Sequence, residues 1–248
     1  MSRFETIAFD ADDTLWHNER LYVNAQARFR QLLSHYQPPE WIDERLYQTE
    51  MHNLQHFGYG IKAFALSMIE TALELTENRI SGGDIQTIID TAKAMLAANV
   101  ELLDHAGETV AALAETYPLM IITKGDLRDQ ETKVARSGLA RYFRHVEIVS
   151  DKSPTSYAAL LQRHGMAPSR FLMVGNSLRS DILPVLALGA SAVYVPHHLT
   201  WAHELADAPP TDHPGFHEIE HLGLLPDLLQ RLEHLETQAL PQSPGGLV

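Results

Sequence analysis

The 248-residue chain reads as an α/β protein, a parallel sheet with flanking helices and a helical domain inserted after the first strand. Three observations predict this. From Gly107 onward, short apolar runs alternate with helical patterns, as βαβ units require. Four apolar runs end abruptly in polar or charged residues, as strands emerging on one sheet edge do. Between them, residues from about 18 to 105 carry helical periodicity and no strand signal.

The first strand contains Ile7, Ala8 and Phe9 and runs into Asp10, Asp12 and Asp13. An apolar run this short suits a strand covered on both faces. The carboxylates belong where it emerges, because burying them unpaired is costly. Asp10 and Asp12 are two apart and share a face on a continuing strand. Two converging carboxylates invite a hard divalent cation such as Mg2+. They also allow one to attack as a nucleophile while the other carries a proton.

Helices are expected over 18–36 and 40–55, separated by Pro38-Pro39. Two stronger ones cover 61–75 and 84–98, where Ile61, Phe64, Met68 and Ala72, then Ile85, Ile88, Ala92 and Met95, recur at helical spacing. Four helices without a strand form a separate bundle. A helix over 108–116 then leads into a strand over 119–123, ending at Lys124-Gly125-Asp126. A helix over 127–137 is closed by Gly138. A strand over 146–149 ends at Ser150-Asp151-Lys152, and a helix over 156–164 precedes Gly165. A strand over 171–174 ends at Gly175-Asn176-Ser177, a helix runs to Leu188, and a strand covers 192–195. A short strand over 216–219, a closing helix over 224–235 and a frayed tail over 237–248 complete the chain. Asp10, Thr123, Lys152 and Asn176 thus fall along one sheet edge.

Composition narrows the function classes. There are no cysteines, which removes disulfides, zinc–thiolate sites and cysteine nucleophiles and suits a cytoplasmic protein. The formal charge of -13 opposes nucleic acid and anionic membrane as partners. It also repels a phosphorylated substrate unless a metal and local lysines reverse the field. His217-Glu218-Ile219-Glu220-His221 matches the zinc-hydrolase pattern His-Glu-x-x-His. That chemistry needs a helix, and Pro214-Gly215 before it and Gly223 after it argue against one.

The four strand ends together resemble the haloacid dehalogenase-like (HAD) hydrolase superfamily, over about 3–196. Asp10-Ala11-Asp12-Asp13-Thr14 matches its Asp-x-Asp-x-Thr motif, Thr123 its second motif and Lys152 its third. Gly175-Asn176-Ser177-Leu178-Arg179-Ser180-Asp181 matches the fourth, with Asn176 where Asp is common. The resemblance implies a Rossmann-like parallel-sheet core, 1–16 and 106–236, and an inserted helical cap of C1 type, 17–105. It implies a Mg2+-dependent phosphatase acting on a small phosphorylated metabolite. Asp10 would attack phosphorus, and Asp12 would protonate the leaving alcohol and then activate water. Asp10, Asp12 and Asn176 would hold Mg2+. Thr123, Lys124, Gly125 and Lys152 would bind phosphate, and Thr14 and Asp181 would orient the ligands. Asp13 orders the turn. Trp16, His17, His52, Asn53, His56 and Tyr59 are the cap-side candidates. Two other readings stay open: a 2-haloacid dehalogenase, whose family members lack the second Asp, and a non-catalytic phosphometabolite-binding protein.

Overall fold

The computed structural model describes residues 2–239. Strand β1 (Thr6–Phe9) is followed by four helices, α1 (Glu19–Leu33), α2 (Pro39–Phe57), α3 (Ile61–Leu75) and α4 (Gly82–Ala97). Then come α5 (Ala106–Ala114), β2 (Leu119–Lys124), α6 (Leu127–Arg136), β3 (Phe143–Val149), α7 (Pro154–Arg163) and β4 (Phe171–Gly175). A π-helical turn (Leu178–Ile182) passes into the short α8 (Leu183–Leu186), and β5 (Ser191–Tyr194), β6 (Phe216–Glu218) and α9 (Leu225–Ala239) finish the fold.

The six strands are all parallel, in the order β3-β2-β1-β4-β5-β6. The first strand in sequence is therefore central, with Ala8 opposite Met120 and Met173. Alternate residues of the sheet feed two cores, as the period of two demands. Ile7, Phe9, Ile121 and Val174 pack with Val110 and Leu229 on one face. Ala8, Met120, Ile122 and Met173 pack with Tyr157 and Val185 on the other. The four inserted helices bury a third cluster of their own, centred on Phe29, Leu46, Phe64, Met68 and Ile88. No helix among the described residues is long and apolar enough to cross a membrane.

Several expected boundaries move. Strand β3 starts at Phe143 rather than 146, because it lies at the sheet edge and alternates buried Phe143 with exposed Arg144 instead of forming a continuous apolar run. The single helix expected up to Leu188 is a π-helical turn and a four-residue helix, with Pro184 supplying no N–H at their junction. Helix α9 continues to Ala239, past the start of the expected tail at Thr237, and the rest of that tail lies outside the described residues. His217 lies in β6 and His221 precedes a 3-10 turn, so the two imidazoles share no helix face.

Candidate active site

Four strand ends converge beneath the helical bundle. β1 delivers Asp10, β2 Thr123, the loop after β3 Lys152, and the loop after β4 Asn176; all four line one cavity of about 160 Å³. The opposite wall comes from the bundle and includes Glu19 and Tyr22 of α1, Glu50 and Asn53 of α2, and Ser67 of α3. Of the expected cap-side residues, Asn53 and Tyr59 line this cavity, whereas His52 and His56 are exposed and do not. Trp16 is fully buried in the core, and its indole N–H donates to Asp12 at 2.7 Å.

The electrostatic centre is Lys152. Its ammonium, almost fully buried, donates to Asp10 Oδ1 at 2.5 Å and to Asp181 Oδ1 at 2.7 Å. Burial alone would pull the lysine down, but Asp10 and Asp181 outweigh it and hold Lys152 well above its ordinary range. Burial pushes Asp10 up to about 7 against the pull of Lys152, with Asp181 adding to the rise. Asp181 is further fixed by the Ser177 backbone N–H at 3.0 Å. Gly175 is required beside it, since a Cβ there would stand 2.3 Å from Asp181 Oδ2.

Thr14 joins the first and fourth motifs. Its hydroxyl lies 3.1 Å from both Asp10 Oδ2 and Asn176 Oδ1, and it accepts from the Asn176 backbone N–H. One hydroxyl proton cannot satisfy both oxygens at once. A carboxylate oxygen, a carboxamide oxygen and a hydroxyl therefore meet with too few protons between them. This all-oxygen, proton-poor set fits a hard cation such as Mg2+. Asp13 takes no part in it. It sits at φ 60° and accepts from the backbone N–H groups of Asn18 and Glu19, ordering the turn that starts α1.

Asp12 is held by a different set of donors. Its carboxylate accepts from Lys133 Nζ at 2.7 and 2.8 Å, Gln130 Nε2 at 2.8 Å and Trp16 Nε1 at 2.7 Å. Gln130 and Lys133 stand one turn apart on α6, a pair that the sequence offered only as polar residues at i and i+3. Gly125, at φ 141°, makes room for this contact, since a Cβ would stand 2.9 Å from Gln130 Nε2. It does not line the cavity, so its expected phosphate contact finds no support in the geometry. Lys124 is likewise engaged elsewhere. Its ammonium donates to Ser180 Oγ at 2.8 Å and to Glu204, and lies 4.2 Å from the centre of the Tyr59 ring.

Two carboxylic acids on the bundle wall have no cationic partner among the described residues. Burial pushes Glu50 up to about 8, and burial reinforced by Asp13 does the same to Glu19. Both folded-state values exceed the ordinary 4.5, so ionising these groups costs the folded state. For Glu50 that cost is absent below pH 4.5 and complete above about pH 8. Glu50 is only half-buried, so solvent reduces this cost, and Glu50→Gln should leave the melting temperature almost unchanged at pH 5 and raise it by about 3–6 °C at pH 8. A difference independent of pH in thermal melts would contradict the half-buried, unpaired state of Glu50.

A family model described as haloacid dehalogenase-like hydrolase matches residues 4–189. A haloacid dehalogenase-like family hydrolase from Xanthomonas campestris is 39% identical, with a TM-score of 0.85, over 96% of this chain and 95% of its own. A 2-haloacid dehalogenase from Pseudomonas syringae pv. tomato shares the fold at 24% identity and a TM-score of 0.61, over 92% of this chain and 99% of its own. So does the magnesium-bound HAD-hydrolase YfnB from Bacillus subtilis, at 16% identity and a TM-score of 0.65, over 92% of this chain and 100% of its own. No curated protein matches in sequence. Matched over most of its length by the family model and by a structure at 39% identity, the chain belongs to the haloacid dehalogenase-like hydrolases.

Proposed function

We propose that this hydrolase is a Mg2+-dependent phosphatase of small phosphate monoesters, acting through an aspartyl-phosphate on Asp10. The observation that carries the reading is the convergence of Asp10, Thr14 and Asn176 oxygens beside the buried Lys152 ammonium. The same geometry supports Asp10 as the nucleophile, with a candidate metal seat and one fixed positive charge beside it.

In this reading Asp10 Oδ attacks phosphorus, the phosphorus–oxygen bond to the alcohol breaks, and Asp12 supplies the alcohol's proton. Water then attacks phosphorus, Asp12 takes a proton from it, and Asp10 is released with inorganic phosphate. Lys152 holds Asp10 in line and offsets charge on the phosphoryl oxygens. Asp181 holds Lys152, and Thr123 offers its hydroxyl to the phosphate. Lys133 and Gln130 fix the Asp12 carboxylate between the bundle and α6. The Asp10 carboxylate, the Asp12 backbone carbonyl and Asn176 Oδ1 would hold Mg2+, which when bound supplies charge neutralisation between nucleophile and phosphate. The bundle, 17–105, serves as a cap over the core, 1–16 and 106–236, excluding water and choosing the substrate. Magnesium is bound in the YfnB neighbour, which supports the metal assignment. The absence of cysteine suits a reducing cytoplasm.

A carboxamide at 176 donates an oxygen without negative charge. Asn176→Asp is therefore expected to tighten Mg2+ binding about tenfold by calorimetry. Unchanged or weaker binding would remove Asn176 from the ligand set.

The dehalogenase reading has one specific support, Asn176 standing where an Asp is common. Trapping distinguishes the two. A phosphatase denatured in mid-turnover carries one phosphoryl group on Asp10, detected by mass spectrometry of the peptide. A dehalogenase given a 2-haloacid carries an ester there instead.

A further inference from the structure

Three lysines line the cavity, and each is already engaged by carboxylate. Lys152 is shared by Asp10 and Asp181, and Lys133 belongs to Asp12. Lys124 is held by Glu204, a residue from the 3-10 turn Ala202–Glu204 in the loop after β5. The Glu204 carboxylate also accepts from Ser177 Oγ and Ser180 Oγ, both at 2.5 Å. Ser177 and Ser180 are themselves buried. One ammonium and two hydroxyls thus form a seat for an anion, and the chain's own carboxylate fills it. Burial opposes charge on Glu204, yet Lys124 and the two serines outweigh it and hold the carboxyl down at about 2. It is an anion throughout the physiological range.

The rest of the wall repeats the message. Glu19 and Glu50 face the cavity with no cation paired to them among the described residues. A substrate whose organic part carries a second negative charge finds every lysine occupied and no cation on the opposite wall, where Glu19 and Glu50 are held as uncharged carboxylic acids near neutral pH.

We infer that Glu204 is a specificity-determining residue, which by filling the Lys124–Ser177–Ser180 seat excludes a second anionic group and selects phosphate esters of neutral or cationic alcohols. This rests on the phosphatase reading. It predicts an order of preference in the unaltered protein and a relaxation of that order when Glu204 loses its charge. Gln at 204 keeps an acceptor for the two serines but releases Lys124 from its counter-ion.

The test uses three two-carbon esters of matched size, ethanolamine phosphate, ethylene glycol phosphate and phosphoglycolate. In the unaltered protein kcat/KM should be lowest for phosphoglycolate. In Glu204→Gln the ratio of phosphoglycolate to ethylene glycol phosphate should rise about tenfold. Adding Lys124→Met to Glu204→Gln should cancel the rise, which separates a freed seat from a general drop in negative field. Preference for phosphoglycolate in the unaltered protein, or an unchanged ratio in a folded Glu204→Gln variant, overturns the inference. If Glu204→Gln does not fold, Glu204→Ala replaces it, and the substrate order of the unaltered protein still decides. If no phosphate ester is hydrolysed, the phosphatase reading fails. Calorimetry with inorganic phosphate then reads the seat itself: tighter binding in Glu204→Gln that Lys124→Met cancels supports it, and equal binding overturns it.

Discussion

Asp10→Asn is expected to lower turnover by about 10⁴-fold or more while leaving the fold intact, the loss typical of a missing nucleophile. The carboxamide keeps the shape and still accepts from Lys152, so packing is preserved. Stability should move the opposite way from activity. Asp10 has a folded-state value of about 7 against an ordinary 3.8, so its ionisation costs the folded state. That cost is absent below pH 3.8 and complete above about pH 7. The Asn variant, measured without metal, should melt higher than the unaltered protein at pH 8 and close to it at pH 4. A lower melting temperature at pH 8 would mean that Lys152 stabilises ionised Asp10 by more than its burial costs.

Lys152→Met is the second large effect, and here stability and activity fall together. The lysine is the counter-ion for two carboxylates, Asp10 and Asp181, and its side chain is 2% exposed. Removing it leaves two negative charges facing each other in the core. Breaking a buried pair costs about 3–5 kcal/mol, which for a chain of this size is roughly 6–20 °C in melting temperature. The deficit should shrink as pH falls, because the stranded carboxylates take up protons and lose their repulsion. Turnover should be lost at every pH. A variant that melts normally at pH 8 would show that Lys152 is not what neutralises this pair.

Much of the site was legible because it is written at strand ends. Asp10, Thr123, Lys152 and Asn176 follow runs of apolar residues, and a parallel sheet brings such ends to one edge without further information. The bundle was legible for a similar reason: Phe64, Met68 and Ala72 repeat at helical spacing and become its core. What was not legible depends on docking. Gln130 and Lys133 are ordinary polar residues of an amphipathic helix until α6 packs beside β1 and sets them against Asp12. Glu204 lies on an irregular loop, 80 positions from the lysine it meets, where no periodicity marks it. Trp16 read as site-facing, but it is fully buried in the core and its indole N–H donates to Asp12.

The central claim is phosphate chemistry driven by a metal and Asp10, and hydrolysis of p-nitrophenyl phosphate tests it most directly. Three assays suffice: the protein with Mg2+, the protein with a chelator, and Asp10→Asn with Mg2+. The account predicts turnover in the first alone. Equal turnover with the chelator, or turnover that survives in Asp10→Asn, contradicts it, as does an inert protein that instead releases halide from a 2-haloacid.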